Sequence, residues 1–570
     1  MSADVSANAA PSKPASVVIG HEDSGDMTLV FLNENGHEYH RKTYSERQAH
    51  AAIRHYEQHS APRWIFRSIR DDYPTLLADG VRVARAWDLL LCHQIIRDSA
   101  LIPKQLPDAA HWRRSQPVSD AHDTQAALFA WISPHARNTQ DSDELYGEYS
   151  RQRDALASSR DGRVEMLCRL ESAGALVAEE MTAAGVPWNT AVHEQILEDA
   201  LGPRGVGGIP QRMRDTAAQI RTLLNDPQLS IDSQPKLLRA LQRAGVAARS
   251  TSKHELVQHQ HPAIVPLLEY KRMARLFAAN GWTWLAEWVH DERFRPVYLP
   301  GAVVTGRWAS SGGGALQIPR QLRPAVRADD GWVLIMADVA QLEPRVLAAM
   351  AADSAMAQAA AGGDLYEGIV RTGIVATREE AKYAVLGAMY GATTGDSGRL
   401  VPRLRTVFTR AMRLVDDAAR TGEEGGHVMT LLGRTSPTAQ PPPAQDMPDA
   451  AYAARDQQRV RREFGRFTRN FIVQGTAAEW ALVWLAEIRQ RLWALPQTQV
   501  PAAASGSVAN HRAHLVFFLH DEVIVHCPRE LADAASTAVH EAAQAATRRL
   551  FGDFPITMPL DLTVSSDAHV

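Results

Sequence analysis

At 570 residues the chain is long enough for about four domains of ordinary size. Its composition, 45% apolar and 22% charged, is that of a soluble globular protein and excludes collagen-like and low-complexity classes. A net charge of -4 excludes a globally basic nucleic-acid binder, so any such surface is a local basic groove, and three distant cysteines without Cys-x-x-Cys spacing exclude a disulfide framework.

In chain order, residues 1–15 are polar and Ala/Ser-rich, which predicts a disordered leader without a signal-peptide core. Residues 16–162 alternate short β-favouring runs (Met27 to Leu32, Trp64 to Arg67) with helical stretches and predict a small α/β domain. Residues 163–292 are strongly helical, beginning with Val164 to Ala184, which Gly185-Val186-Pro187 stops. Strand-like segments return in 293–349, helices fill 350–455, and 456–570 mixes both. Ser436 to Ala450 and Pro501 to Asn510 read as low-complexity loops. No apolar run of about 18 residues is found, so no membrane span is expected and a cytoplasmic setting is.

Three segments carry chemistry. The strand Trp332 to Ala337 ends in Asp338, followed by Gln341, Glu343 and Arg345 at a helix start; alone, Asp338 could be an N-cap. Arg378, Lys382 and Tyr390, spaced by fours and eights, share one side of a helix; two cations one turn apart suit a polyphosphate, or form an exposed basic stripe. His520-Asp521-Glu522 sits between the apolar strands Leu515 to Leu519 and Val523 to His526, projecting two acids toward a cation or simply into solvent.

In this order the three segments resemble motifs A, B and C of family A (DNA polymerase I type) DNA polymerases. Asp338-Val-Ala-Gln341-Leu-Glu343-Pro-Arg345 matches the first. Arg378-x-x-x-Lys382-x-x-x-Leu386-x-x-x-Tyr390-Gly391 matches the second except at Leu386, where the family has an aromatic, and His520-Asp521-Glu522 matches the third. Thr305-Gly306-Arg307 with Leu316-Gln317 and Ile318-Pro319, and Asn470-x-x-x-Gln474-Gly-Thr-Ala-Ala478, are similar to two further family elements.

The resemblance implies a helix-rich α+β fold shaped as a right hand: thumb (163–292), palm with an antiparallel sheet (293–349 and 456–570) and helical fingers (350–455). A small α/β domain like a 3′–5′ exonuclease precedes it. It implies primer-template DNA and dNTPs as partners, a monomer, and two Mg²⁺ ions (or Mn²⁺) on Asp338, Asp521 and the Val339 carbonyl, with Glu522 as an outer acid. Arg378, Lys382, Gln341 and Tyr366 are implied to meet the nucleotide, Lys382 also as proton donor, with Glu343, Leu386 and Tyr390 around the sugar. Arg307, Gln317, Arg466, Asn470, Gln474 and His520 are implied to meet DNA, and the Arg403–Arg413 and Arg455–Arg462 clusters are candidates for phosphate contacts or solvated helix faces.

Two departures stand out. Tyr366 stands where relatives commonly carry His, and residues before Arg163 contain no Asp-x-Glu, with Tyr149 and Asp154 one position too far apart for Tyr-x-x-x-Asp. The expectation is a polymerase without proofreading and without a 5′-nuclease; the alternative is a catalytically weak DNA-binding protein on a polymerase scaffold.

Overall fold

The computed structural model describes residues 13–113, 141–159, 161–205, 208–311, 318–391, 395–438 and 450–568. Two compact units emerge: residues 1–185, 297–311 and 329–566 form the first, and 186–296, 312–328 and 567–570 the second. The leader up to residue 12, Gln317 and most of the Pro-rich stretch after Ser436 lie outside the described residues.

Among the described residues the first unit holds three sheets, the smallest a two-stranded pairing of Val297–Leu299 with Ala309–Ser311. One consists of β1 (Ser16–His21), β2 (Met27–Leu32), β3 (Glu38–Tyr44), β4 (Arg63–Phe66) and β5 (Arg85–Asp88) in the order β3-β2-β1-β4-β5. Strands β1 to β3 are an antiparallel meander, whereas β4 and β5 run parallel to β1, which requires crossovers through helices. β1 and β2 are buried along nearly their whole length, as expected for strands covered on both faces. Helix α1 (Ser142–Ala157) packs across β1, and the long helix α2 (Arg163–Ala184) packs against β5.

The second sheet is antiparallel, with β6 (Trp332–Val339) at its centre, β7 (His514–Leu519) and β8 (Glu522–Pro528) on one side and β9 (Leu560–Ser565) on the other. Val333, Ile335, Ala337 and Val339 share a core with Trp480, Trp484, Val539 and Ala542 of two long helices. The alternate residues Trp332, Leu334, Met336 and Asp338 therefore face the other way, and Asp338 alone in this strand is exposed. The helix 450–494 contains a stretch, Gln457–Ala494, long and apolar enough to cross a membrane, contrary to the sequence expectation. Its most apolar window is 78% buried within the fold, which is how a core helix satisfies the same pattern.

A buried ionic knot ties the segment leading into β5, and helix α2, to that helix. Arg489 donates to Glu180 (2.6 and 2.8 Å) and to the carbonyls of Val83 and Ala84, while the Tyr73 hydroxyl donates to Glu180 at 2.8 Å. Pro501 to Asn510, expected as a loop, is ordered into a 3-10 turn and the short helix Gly506–Ala509. The second unit is mainly helical, with a small three-stranded sheet of Val186–Pro187, Arg293–Phe294 and Val289–His290, and its core is built around Leu197, Ile220, Leu237, Leu241 and Leu267. Beside that core Trp188, His193, Trp284 and Phe294 form an aromatic cluster.

Candidate active site

The site starts at the end of β6. In the register of the second sheet Asp338 lies opposite Glu522 on β8 and opposite Asp561 on β9, so alternation brings three carboxylate residues to one face. Leu519 pairs with Glu522, which leaves His520 and Asp521 as a two-residue loop with His520 in the left-handed conformation (φ 55°). The Val339 N–H donates to the Asp521 carbonyl at 3.0 Å, fastening that loop beside Asp338. Burial, reinforced by neighbouring Glu522, pushes the Asp521 carboxyl above its ordinary range, although Arg307 opposes it. A carboxylate held out of water beside others gains from a cation. Mg²⁺ commonly uses one or two carboxylates and completes its shell with water and substrate phosphates, so these residues fit it.

Gln341 caps the next helix, α3 (Leu342–Met350), from a left-handed conformation (φ 55°), and its side chain accepts the Leu365 N–H at 2.8 Å. Arg345 is fully buried and donates to the carbonyls of Ala340, Ala360, Thr557 and Gly363. Burial lowers its pKa to about 10. One guanidinium thus pins the turn after Asp338 to the 360–363 loop. Glu343, one turn along, accepts from the Tyr390 hydroxyl at 2.5 Å and from Arg307. Tyr390 also bonds Gln474, so Arg307, Glu343, Tyr390 and Gln474 form one network.

The second motif forms helix α5 (Arg378–Tyr390), capped by Thr377 and ended by Gly391 at φ 70°, a conformation suited to glycine. It follows α4 (Leu365–Arg371), whose N-cap is Asp364. Arg378 reaches Asp364 at 2.8 Å and lies over the Tyr366 ring. Lys382 is exposed, and Leu386 is half-buried. Tyr366, expected at the nucleotide, is 5% exposed, so it lies under Arg378 instead of standing open beside it.

Arg466 packs beside Gly391, and Asn470 Oδ1 is buried without a hydrogen-bond partner among the described residues. Arg405 pairs with Asp416, Arg413 with Asp417 and Arg459 with Glu463, while Arg403 and Arg410 donate to the carbonyls of Ile374 and Ala352. These pairings favour the solvated-face reading of those clusters.

Several residues escaped the sequence reading. Asp561 gives no motif signal; only its strand pairing brings it to Asp338. Arg434 is paired with buried Glu171 and underlies the Gly306 turn that carries Arg307. Glu479, buried and pushed up to about 7, accepts from Thr430 and from the Leu432 N–H. The Gly-Arg pair at 433–434 was the only available hint.

The profile of DNA polymerase family A matches residues 209–567. A thermostable DNA polymerase I of Thermus filiformis is 24% identical over 351 residues, spanning 57% of this chain and 38% of that protein. DNA polymerase I of Chloroflexus aurantiacus is 24% identical over 397 residues, 65% of this chain and again 38% of the relative. The chain thus matches well under half the length of these curated relatives. In fold it is similar to the POL domain of Pol1 from M. smegmatis, solved in complex with DNA primer-template and dNTP. The TM-score is 0.66 at 16% identity, over 97% of this chain and 95% of that one.

Proposed function

Because the chain belongs to DNA polymerase family A, we propose that it is a DNA-directed DNA polymerase that extends a primer 3′-hydroxyl with deoxynucleotides. The observation that carries this reading is the junction of Asp338 with the Asp521 loop, where acids from distant motifs meet on adjacent strands. The chemistry that two bound Mg²⁺ ions (or Mn²⁺) would supply is activation of the 3′-oxygen and neutralisation of the leaving pyrophosphate. Asp338, Asp521 and the Val339 carbonyl would hold them, with Glu522 as an outer acid. Arg378 and Lys382 bind the triphosphate, and Lys382 gives its proton to the departing pyrophosphate. Glu343, braced by Tyr390, closes the pocket under the sugar together with Leu386 of the Tyr390 helix and leaves no room for a 2′-hydroxyl. Arg307, Arg466, Asn470, Gln474, Gln317 and His520 follow the primer-template. The partition into thumb, palm and fingers, a monomeric state and a cytoplasmic setting belong to the same proposal.

The α/β domain does not proofread in this reading. Gly20 is the last but one residue of the central strand β1, and a Cβ there would stand 2.6 Å from Ser142 Cβ and 2.9 Å from its Cα. The start of α1 thus occupies the space a carboxylate at this position would need, while metal-dependent trimming needs several acids together. A 5′-nuclease is likewise absent from the proposed activity.

Extension of a labelled primer-template with Mg²⁺ and dNTPs, beside a lane lacking dNTPs, tests both parts. Template-directed extension without trimming is expected. A folded protein that binds DNA without extending it favours the scaffold alternative, and trimming in the dNTP-free lane contradicts the loss of proofreading.

A further inference from the structure

Arg378 opens helix α5 one turn before Lys382, and its guanidinium is held on two sides. Nε and Nη2 both reach Asp364 Oδ2 at 2.8 Å, and Cζ lies 5.5 Å from the centre of the Tyr366 ring. The two neighbours differ in permanence. The Arg378–Asp364 pair is partly open to solvent (47% and 32% exposed), a setting in which an ion pair contributes little and is readily exchanged. The Tyr366 ring is packed into the core of the first unit and cannot move aside cheaply. Asp364 is itself fixed, because its Oδ1 caps α4 by accepting the Glu367 N–H at 3.0 Å. A carboxylate offers a guanidinium the same charge-assisted geometry as a phosphate.

We propose that Asp364 and Tyr366 are positioning residues that act on the incoming nucleotide through Arg378: Asp364 is a placeholder anion that the triphosphate displaces, and Tyr366 is a π platform that keeps the guanidinium aimed during the exchange. This rests on the polymerase reading above. Tyr366 therefore works with its face, not with its hydroxyl, and a cation over an aromatic face retains its attraction when the anion changes. Asp364 sets a threshold: a dNTP, with three phosphates and Lys382 to share them, outcompetes the carboxylate more readily than inorganic phosphate does.

The test is steady-state single-nucleotide incorporation by the full chain and three variants, reading KM for the dNTP separately from kcat. Tyr366→Leu fills the space without a π face and is expected to raise KM about threefold to tenfold with kcat nearly unchanged. Tyr366→Phe keeps the face and is expected to restore KM to within about twofold. Asp364→Asn keeps a helix-capping oxygen but loses the charge; it is expected to lower KM several-fold and to sharpen inhibition by inorganic phosphate. Tyr366→Phe as impaired as Tyr366→Leu would place the hydroxyl on the phosphate and overturn the platform. An Asp364→Asn enzyme with unchanged or raised KM would overturn the placeholder, and it tests the proposal even if Tyr366→Leu fails to fold. A wild type that extends no primer overturns the polymerase reading and this proposal together, whereas normal wild-type extension with either contrary pattern overturns this proposal alone.

Discussion

The Tyr390 hydroxyl donates to Glu343 Oε2 at 2.5 Å, joining the last turn of α5 to the first turn after the Asp338 strand. Arg307 takes the other carboxylate oxygen, so Glu343 is fixed from two directions. A side chain held in this way can exclude a ribose hydroxyl sterically, because it cannot swing aside. Glu343→Ala is expected to lower discrimination against ribonucleotides by about tenfold or more while dNTP extension persists. The ratio of rNTP to dNTP incorporation measures this.

Arg345 acts at longer range. Its four carbonyl partners belong to three separate segments, and Arg345→Met would remove from all of them the one fully buried donor they share. A loss of about 3 kcal/mol in chemical denaturation is expected, together with a raised KM for dNTP as the 360–363 loop loosens.

Near the end of β1, Gly20→Asp is expected to destabilise the protein by about 1–3 kcal/mol, because its Cβ must push into Ser142. It should bring no metal-dependent trimming. Thermal unfolding and a dNTP-free incubation with labelled primer read the two outcomes.

In the second unit His193 is fully buried, with Nδ1 accepting from the Trp188 indole at 3.2 Å and Nε2 on the Asn280 carbonyl at 3.0 Å. Burial holds its pKa at about 4, below the ordinary 6.5. Since the unfolded chain binds the proton more readily, His193 makes its full contribution to stability above about pH 6.5 and loses it as pH falls toward 4, by up to about 3 kcal/mol. Urea melts followed by tryptophan fluorescence should show this decline, and His193→Gln should flatten it.

The parts of the site that the sequence revealed are those with local patterns. Asp338 and Asp521 each end or interrupt an apolar strand, and Arg378 to Tyr390 keeps helical spacing, so strand and helix periods placed them without tertiary information. What stayed hidden depends on partners distant in sequence. Asp561 reaches Asp338 only through the pairing of the last strand, and Arg434 meets Glu171 across 263 positions. The burial of Tyr366 beneath Arg378 is likewise a tertiary fact; in the sequence, only its place where relatives commonly carry His put it at the nucleotide. The helix containing Gln457–Ala494 escaped notice as a continuous apolar stretch because arginines and glutamates interrupt it, although its burial is extensive.

The most direct test of the central claim is single-turnover addition of one dNTP to a primer-template by Asp338→Ala and Asp521→Ala, with DNA affinity and Tm measured on the same preparations. Each substitution is expected to slow addition by about a thousandfold or more, with folding and DNA binding retained and the double variant little worse than either single one. A folded Asp338→Ala or Asp521→Ala protein that adds nucleotides at the wild-type rate would contradict the account.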